Sequence, residues 1–170
     1  IAEDPFSIWL QDVRQEAKTR GISDKVIGEA LENIKPMRRI IERDRNQAEF
    51  KLTLSTYSRR VISQKNIKIG KNKAKLLADT LEAVEKRFKV QRRFILSIWG
   101  IETRFGLVQA NVPVIPAVAT LAFDKRRSKY FRAQVFAVLE MLEKGYIELE
   151  NLKGSWAGAM GQPQFMPSSY

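Results

Sequence analysis

The sequence predicts a mainly α-helical protein, on three observations. Apolar residues recur every three or four positions along most of the chain, the spacing of one helix face. Glycine and proline punctuate these stretches at Gly21, Pro36, Gly70, Gly106 and Gly145. The least regular segment, 50–69, shows neither a clean period of two nor a clean one of 3.6, and no strand pattern competes elsewhere. With 170 residues, 44% of them hydrophobic, the chain can bury one proper core, or one plus a small satellite.

Asp4-Pro5 with Phe6, Trp9, Leu10, Val13 and Ala17 reads as an N-capped amphipathic helix stopped at Gly21. Ser23 caps a second, with Val26, Ile27, Ala30, Leu31 and Ile34 in step until Pro36. Residues 37–46 are strongly charged and read as a short exposed helix or loop, and 50–69 as mostly helix with a turn at Gly70. Ala74, Leu77, Leu81, Val84 and Phe88 define a helix over 73–88 that is basic on its outer side. From Gln91 to Phe105 the residues Phe94, Ile95, Ile98, Trp99, Ile101 and Phe105 leave little polar surface. This predicts a central, buried helix ending at Gly106, with Trp99 and Phe105 in the core. Pro116 opens a short helix to Phe123; Ser128 caps a longer one with Phe131, Val135, Val138 and Leu142 buried, ending at Gly145. After Leu152 the texture turns to small residues, with Gly154, Gly158 and Gly161 in a loop whose backbone can approach a ligand.

Composition narrows the chemistry. There is no cysteine and no histidine, which removes disulfides, thiolate metal sites, Cys or His nucleophiles and imidazole bases together. Any proton transfer falls to carboxylates. No apolar run reaches the ~18 residues of a membrane span. The net charge of +11 favours a polyanionic partner: nucleic acid, anionic membrane or anionic wall polymer. Nucleic-acid binding would call for aromatic side chains among the basic ones, and none lies between Tyr57 and Phe88. The lysines there read as a solvated face that also raises affinity for an anionic wall.

Glu102 is the sole carboxylate between Glu85 and Asp124, in a segment whose only other charge from Phe94 to Thr120 is Arg104. Desolvation disfavours an ionised acid, so a carboxyl alone among apolar residues is a candidate general acid. Arg104 is two positions away and does not face it on a helix.

Two motifs carry a resemblance. Gly100-Ile101-Glu102-Thr103-Arg104-Phe105-Gly106 and the stretch 154–170, GSWAGAMGQPQFMPSSY, closely resemble the signature motifs of the B-type lytic murein transglycosylases. More loosely the likeness extends over the Trp9 helix, Arg59-Arg60 and 116–131. It implies a lysozyme-like catalytic core over 73–170, incomplete at its C-terminus, preceded by a helical subdomain over 1–72. It also implies cleavage of peptidoglycan glycan strands between N-acetylmuramic acid and N-acetylglucosamine, leaving 1,6-anhydro ends. In the family's pattern Glu102 is catalytic; Ser155, Gln164, Arg126 and Arg127 fall on substrate-cleft positions, as does Tyr57 by spacing alone. An ordinary glycosidase uses two carboxylates, but one suffices where the substrate's own C6 hydroxyl replaces water. The resemblance further implies no cofactor within these residues, with the family's calcium loop beyond Tyr170. Glycan strands and cell-wall synthesis proteins are its implied partners, without nucleic acid and with membrane contact only through an anchor. It implies a monomer in the periplasm, anchored to the outer membrane or secreted; separately, the start at Ile1 without Met leaves room for an export signal or lipid anchor upstream. The alternatives are a truncated, non-catalytic peptidoglycan-binding fragment and a basic helical nucleic-acid-binding domain.

Overall fold

The computed structural model describes residues 4–46 and 53–170, Arg60 by its backbone alone. Expectations for Ile1 and for positions 50–52 lie outside the described residues. The chain is mainly helical and divides into two compact units. One comprises Ile1–Asn46, Ala110–Met160 and Phe165–Tyr170; the other comprises Gln47–Gln109 and Gly161–Gln164. The chain thus leaves the first unit and returns to it.

In the first unit, α1 (Pro5–Thr19) begins where the Asp4 carboxylate accepts the Ser7 amide at 3.2 Å, with Pro5 in the first turn. Phe6, Leu10, Val13 and Ala17 are buried along one face. Ser23 caps α2 (Asp24–Leu31). That helix ends well before Pro36, because Asn33 turns left-handed at φ 54°. α3 (Arg38–Arg45) is the short charged helix, and it buries Ile40 and also Asp44. Val112–Pro113 (β1) pairs antiparallel with Lys153–Gly154 (β2). Between them run α8 (Val114–Phe123) and α9 (Ser128–Glu143).

The central buried helix is α8, whose residues Val114, Ile115 and Ala117–Ala122 are all buried. It begins two residues ahead of Pro116, which sits in the first turn where a missing N–H costs nothing. α9 buries Phe131, Val135 and Val138 as expected, and Gln134, Phe136, Leu139 and Met141 besides. Ser128 is its first residue, not its cap.

Ion pairs tie α9 to the N-terminal helices. Arg132 bridges Glu16 at 2.6 Å and Asp12 at 2.7 Å, while Glu143 accepts the Ser23 amide at 2.9 Å and its hydroxyl at 2.8 Å. Burial alone would raise the Glu16 pKa, but hydrogen bonds from Arg132 and Arg20 outweigh it and hold the group below 4.5. The Ser23 amide and hydroxyl hold Glu143 below 4.5 likewise. A carboxylate depressed in the folded state adds stability that is present above its unfolded pKa and lost as pH falls through its folded one. Below about pH 4.5 the Glu143→Gln variant is therefore expected to lose less stability on acidification than the parent chain, in thermal melts taken over about pH 6 to 3. Parallel curves would assign acid sensitivity elsewhere.

The second unit contains α4 (Leu54–Val61), α5 (Gln64–Leu76), α6 (Ala78–Phe88) and α7 (Arg92–Thr103). Ser63 interrupts the expected single helix over 50–69, and its hydroxyl accepts the Asn66 amide at 3.2 Å to start α5. The expected helix over 73–88 is broken at Leu77, which joins α5 to α6. Gly70 makes no turn: it lies within α5, where an added Cβ would stand 2.8 Å from Cζ of Phe105. Contrary to expectation α7 is not central, and Thr103 is its one buried residue. Phe94, Ile98 and Ile101 are 53%, 49% and 49% exposed and form an open apolar stripe.

Candidate active site

Glu102 is the next-to-last residue of α7. It is exposed, and its carboxylate makes no hydrogen bond or ion pair among the described residues, with Arg104 or otherwise. The apolar enclosure expected around it is absent, because α7 turns its apolar stripe outward. The helix ends in three consecutive left-handed residues: Arg104 (φ 49°), Phe105 (φ 60°) and Gly106 (φ 81°). Two of the three carry a side chain, so this turn is costly unless its surroundings hold it.

Those surroundings are specific. The Phe105 amide donates to Trp99 O at 3.2 Å and the Val108 amide to Thr103 O at 2.9 Å. The Phe105 ring tucks against Gly100 and Gly70 and meets Trp99 edge-on, centroids 5.5 Å apart. An alanine Cβ at position 100 would lie 2.7 Å from Phe105 Cζ. Gly100→Ala is expected to destabilise by about 1 to 3 kcal/mol through overpacking, with recovery in the Gly100→Ala/Phe105→Leu pair. Chemical denaturation checks this, and a neutral single variant would remove the steric reason for glycine here.

Residues 161–164 dock on this helix end. The Trp99 indole N–H donates to Gln162 Oε1 at 2.6 Å. The Thr103 hydroxyl donates to Gln162 O at 2.9 Å and accepts the Gly106 amide at 3.1 Å. A Cβ on Gly106 would come within 2.6 Å of Gln162 Oε1. One glutamine thus joins the two sequence motifs, contacting the residue immediately after Glu102 and sealing the left-handed turn. Gln164, itself left-handed at φ 54°, donates through Nε2 to Gly161 O at 2.9 Å. Tyr57, on α4, is partly exposed, and its hydroxyl makes no hydrogen bond among the described residues.

In the first unit, Ser155 organises its own loop: its hydroxyl oxygen accepts the amides of Ala157 at 3.3 Å and Ala159 at 3.1 Å. Close approach explains the loop's glycines. A Cβ at Gly154 would meet Ala159 O at 2.4 Å, and one at Gly158 (φ 85°) would meet Val118 on α8 at 2.3 Å. Arg126 and Arg127 converge on buried Asp44. Arg126 Nε donates to Oδ2 at 2.7 Å and Nη2 to the Asp44 carbonyl at 3.0 Å, while Arg127 Nη2 pairs with Oδ1. Arg127 also lies over the Phe131 ring, 4.9 Å from its centroid.

The expected site residues therefore distribute as Glu102, Gln164 and Tyr57 in the second unit, and Ser155, Arg126 and Arg127 in the first. Sequence reasoning missed Gln162, Trp99 and Thr103 as the brace beside Glu102, and Asp44 as the anchor of the arginine pair. Spacing gives no sign of these contacts. No group of three or more Asp or Glu side chains able to hold a metal ion occurs among the described residues, nor any helix long and apolar enough to cross a membrane.

Comparison with known proteins gives a consistent result. Residues 5–170 match the family described as Transglycosylase SLT domain. The membrane-bound lytic murein transglycosylase B of Escherichia coli K12 is 37% identical over 115 residues, which is 67% of this chain and 32% of that protein. SltB3 of Pseudomonas aeruginosa, solved in complex with NAG-NAM-pentapeptide, superposes with a TM-score of 0.91 at 32% identity, over 98% of this chain and 45% of that one. The Escherichia coli lytic transglycosylase Slt35, solved in complex with bulgecin A, gives 0.85 at 31% identity, over 99% and 54%. The chain thus spans about a third of the curated relative and about half of these solved structures.

Proposed function

Since this chain belongs to the transglycosylase SLT domain family, we propose that it is a peptidoglycan lytic transglycosylase. Its substrate is the β-1,4 bond from N-acetylmuramic acid to N-acetylglucosamine, and its product is a 1,6-anhydromuramyl end. The carrying observation is the docking of 161–164 through Gln162 onto the end of α7, which holds the side chains of Trp99 and Thr103 on either side of Glu102. The same reading places the protein in the periplasm, acting on the glycan strands of the wall.

The protonated Glu102 carboxyl gives its proton to the glycosidic oxygen as the bond from C1 of N-acetylmuramic acid breaks. The resulting carboxylate takes the proton of the C6 hydroxyl as that oxygen bonds to C1. Atoms balance without water, and the acid is regenerated. Exposure suits this group to meeting a large substrate, and the absence of a competing cation leaves its oxygens open to both transfers. Mass spectrometry of peptidoglycan sacculi incubated with the protein tests the reading: anhydro-muropeptides are expected. Binding without product would favour a non-catalytic glycan-binding fragment, and products with hydrolysed reducing ends would replace transglycosylation by hydrolysis.

A further inference from the structure

The positive charge is not shared evenly. The second unit holds fourteen of the thirty Lys and Arg but five of the nineteen Asp and Glu, so nine of the eleven net charges belong to it. Their densest concentration is α5, where Lys65, Lys68, Lys71, Lys73 and Lys75 occur without a single acid. None of the five forms an ion pair among the described residues. Lys73 lies over the Trp99 ring, 5.4 Å from its centroid. Lys68, Lys71 and Lys75 are exposed and line one shallow depression along α5 with Gln64 and Asn72. On α6 the carboxylates of Glu82 and Glu85 are already taken by Lys86 and Arg92. Three like charges on adjacent turns repel one another, at a cost to the helix that an anionic partner would relieve.

We propose that this lysine face docks on an anionic phospholipid surface. Lysine ammoniums on flexible stems suit a diffuse layer of phosphate headgroups better than a defined bidentate ligand, where arginine serves. Ile67 lines the same depression, and Ile62 and Leu76 beside it are 61% and 76% exposed. Aliphatic side chains next to a basic stripe gain from the acyl boundary of a bilayer, which a polysaccharide does not offer. Sugars and bases stack on aromatic rings, and no aromatic side chain lines this depression among the described residues. The contact would hold the second unit against a membrane without any lipid anchor.

Co-sedimentation of the purified chain with vesicles tests this, comparing equal mixtures of phosphatidylglycerol and phosphatidylcholine against phosphatidylcholine alone. Binding to the anionic vesicles alone is expected, falling as salt rises above about 0.1 M. The Lys68→Glu/Lys71→Glu/Lys75→Glu variant should bind at least about tenfold more weakly. Replacing the same three by alanine should give an intermediate loss and guards against misfolding, with circular dichroism as the check. Equal binding to both vesicle types, unchanged binding by a folded triple variant, or lysine-dependent binding to sacculi or DNA in place of vesicles would each overturn the proposal.

Discussion

Glu102→Gln is expected to abolish release of anhydro-muropeptides from sacculi while leaving the fold untouched. The amide keeps the shape of the carboxyl but can neither give up a proton at the glycosidic oxygen nor take one from the C6 hydroxyl. Positioned acid–base catalysis typically contributes about 10² to 10⁴ in rate, and in the proposed mechanism one group serves both transfers, so the fall should reach at least the upper part of that range. Stability should be nearly unaffected, because the Glu102 side chain is exposed and has no partner among the described residues; surface changes of this kind stay within about 0.5 kcal/mol. Product analysis and thermal melting of the same preparation read the two effects separately. A Gln variant with full activity would remove Glu102 from the chemistry, and one that melts much earlier would give it a structural part that its surroundings do not suggest.

The second large effect concerns stability. Asp44 is 3% exposed and receives both Arg126 and Arg127. Replacing it by alanine leaves two guanidiniums facing a cavity without a counter-charge, and Arg127 Nε is already buried without a partner. Breaking a buried pair costs about 3 to 5 kcal/mol. The arginine side chains are 47% and 39% exposed, so water can recover part of that and about 3 kcal/mol is expected. In a chain of this size that lowers Tm by roughly 6 to 12 °C. Asp44→Asn should lose less, since one acceptor oxygen remains. A change below about 1 kcal/mol in Asp44→Ala would mean that desolvation of the three charges already cancels their attraction. The same pairing bears on substrate contact: Arg126 and Arg127 have an internal partner, so a cleft role would use the donors that Asp44 leaves open.

Much of the fold was legible because local signals and packing agree. Asp4, Ser23 and Gly145 mark helix ends by cap chemistry that acts over three or four residues, and the structure keeps all three. The misreadings arise where a distant side chain decides. Gly70 looks like a turn, yet it is a helical glycine made necessary by a ring thirty-five positions later. α7 looks buried because it is apolar nearly all round, but hydropathy does not say which stripe is covered, and the buried role falls to α8. For the candidate site, the motifs single out Glu102 and the glycine loop, whereas the contacts of Gln162 between them depend on tertiary structure alone. Ser155, on a cleft position in the family's pattern, also accepts two amides of its own loop, a bond pattern that spacing does not show.

The discontinuity of the first unit shapes how the protein can be made. On a ribosome α1, α2 and α3 emerge first, but the helices that cover their apolar faces, α8 and α9, are translated only after the excursion through 47–109. At about 5 to 20 residues per second, Phe6, Leu10, Val13 and Leu31 wait several seconds before their partners exist. The intervening helices arrive as one consecutive block and can form local contacts during that delay, while the larger core requires long-range closure. The order of birth along the chain therefore favours maturation of the segment carrying Glu102 ahead of the scaffold that encloses it in sequence, and holdase chaperones would find their target in the uncovered faces of α1 and α2.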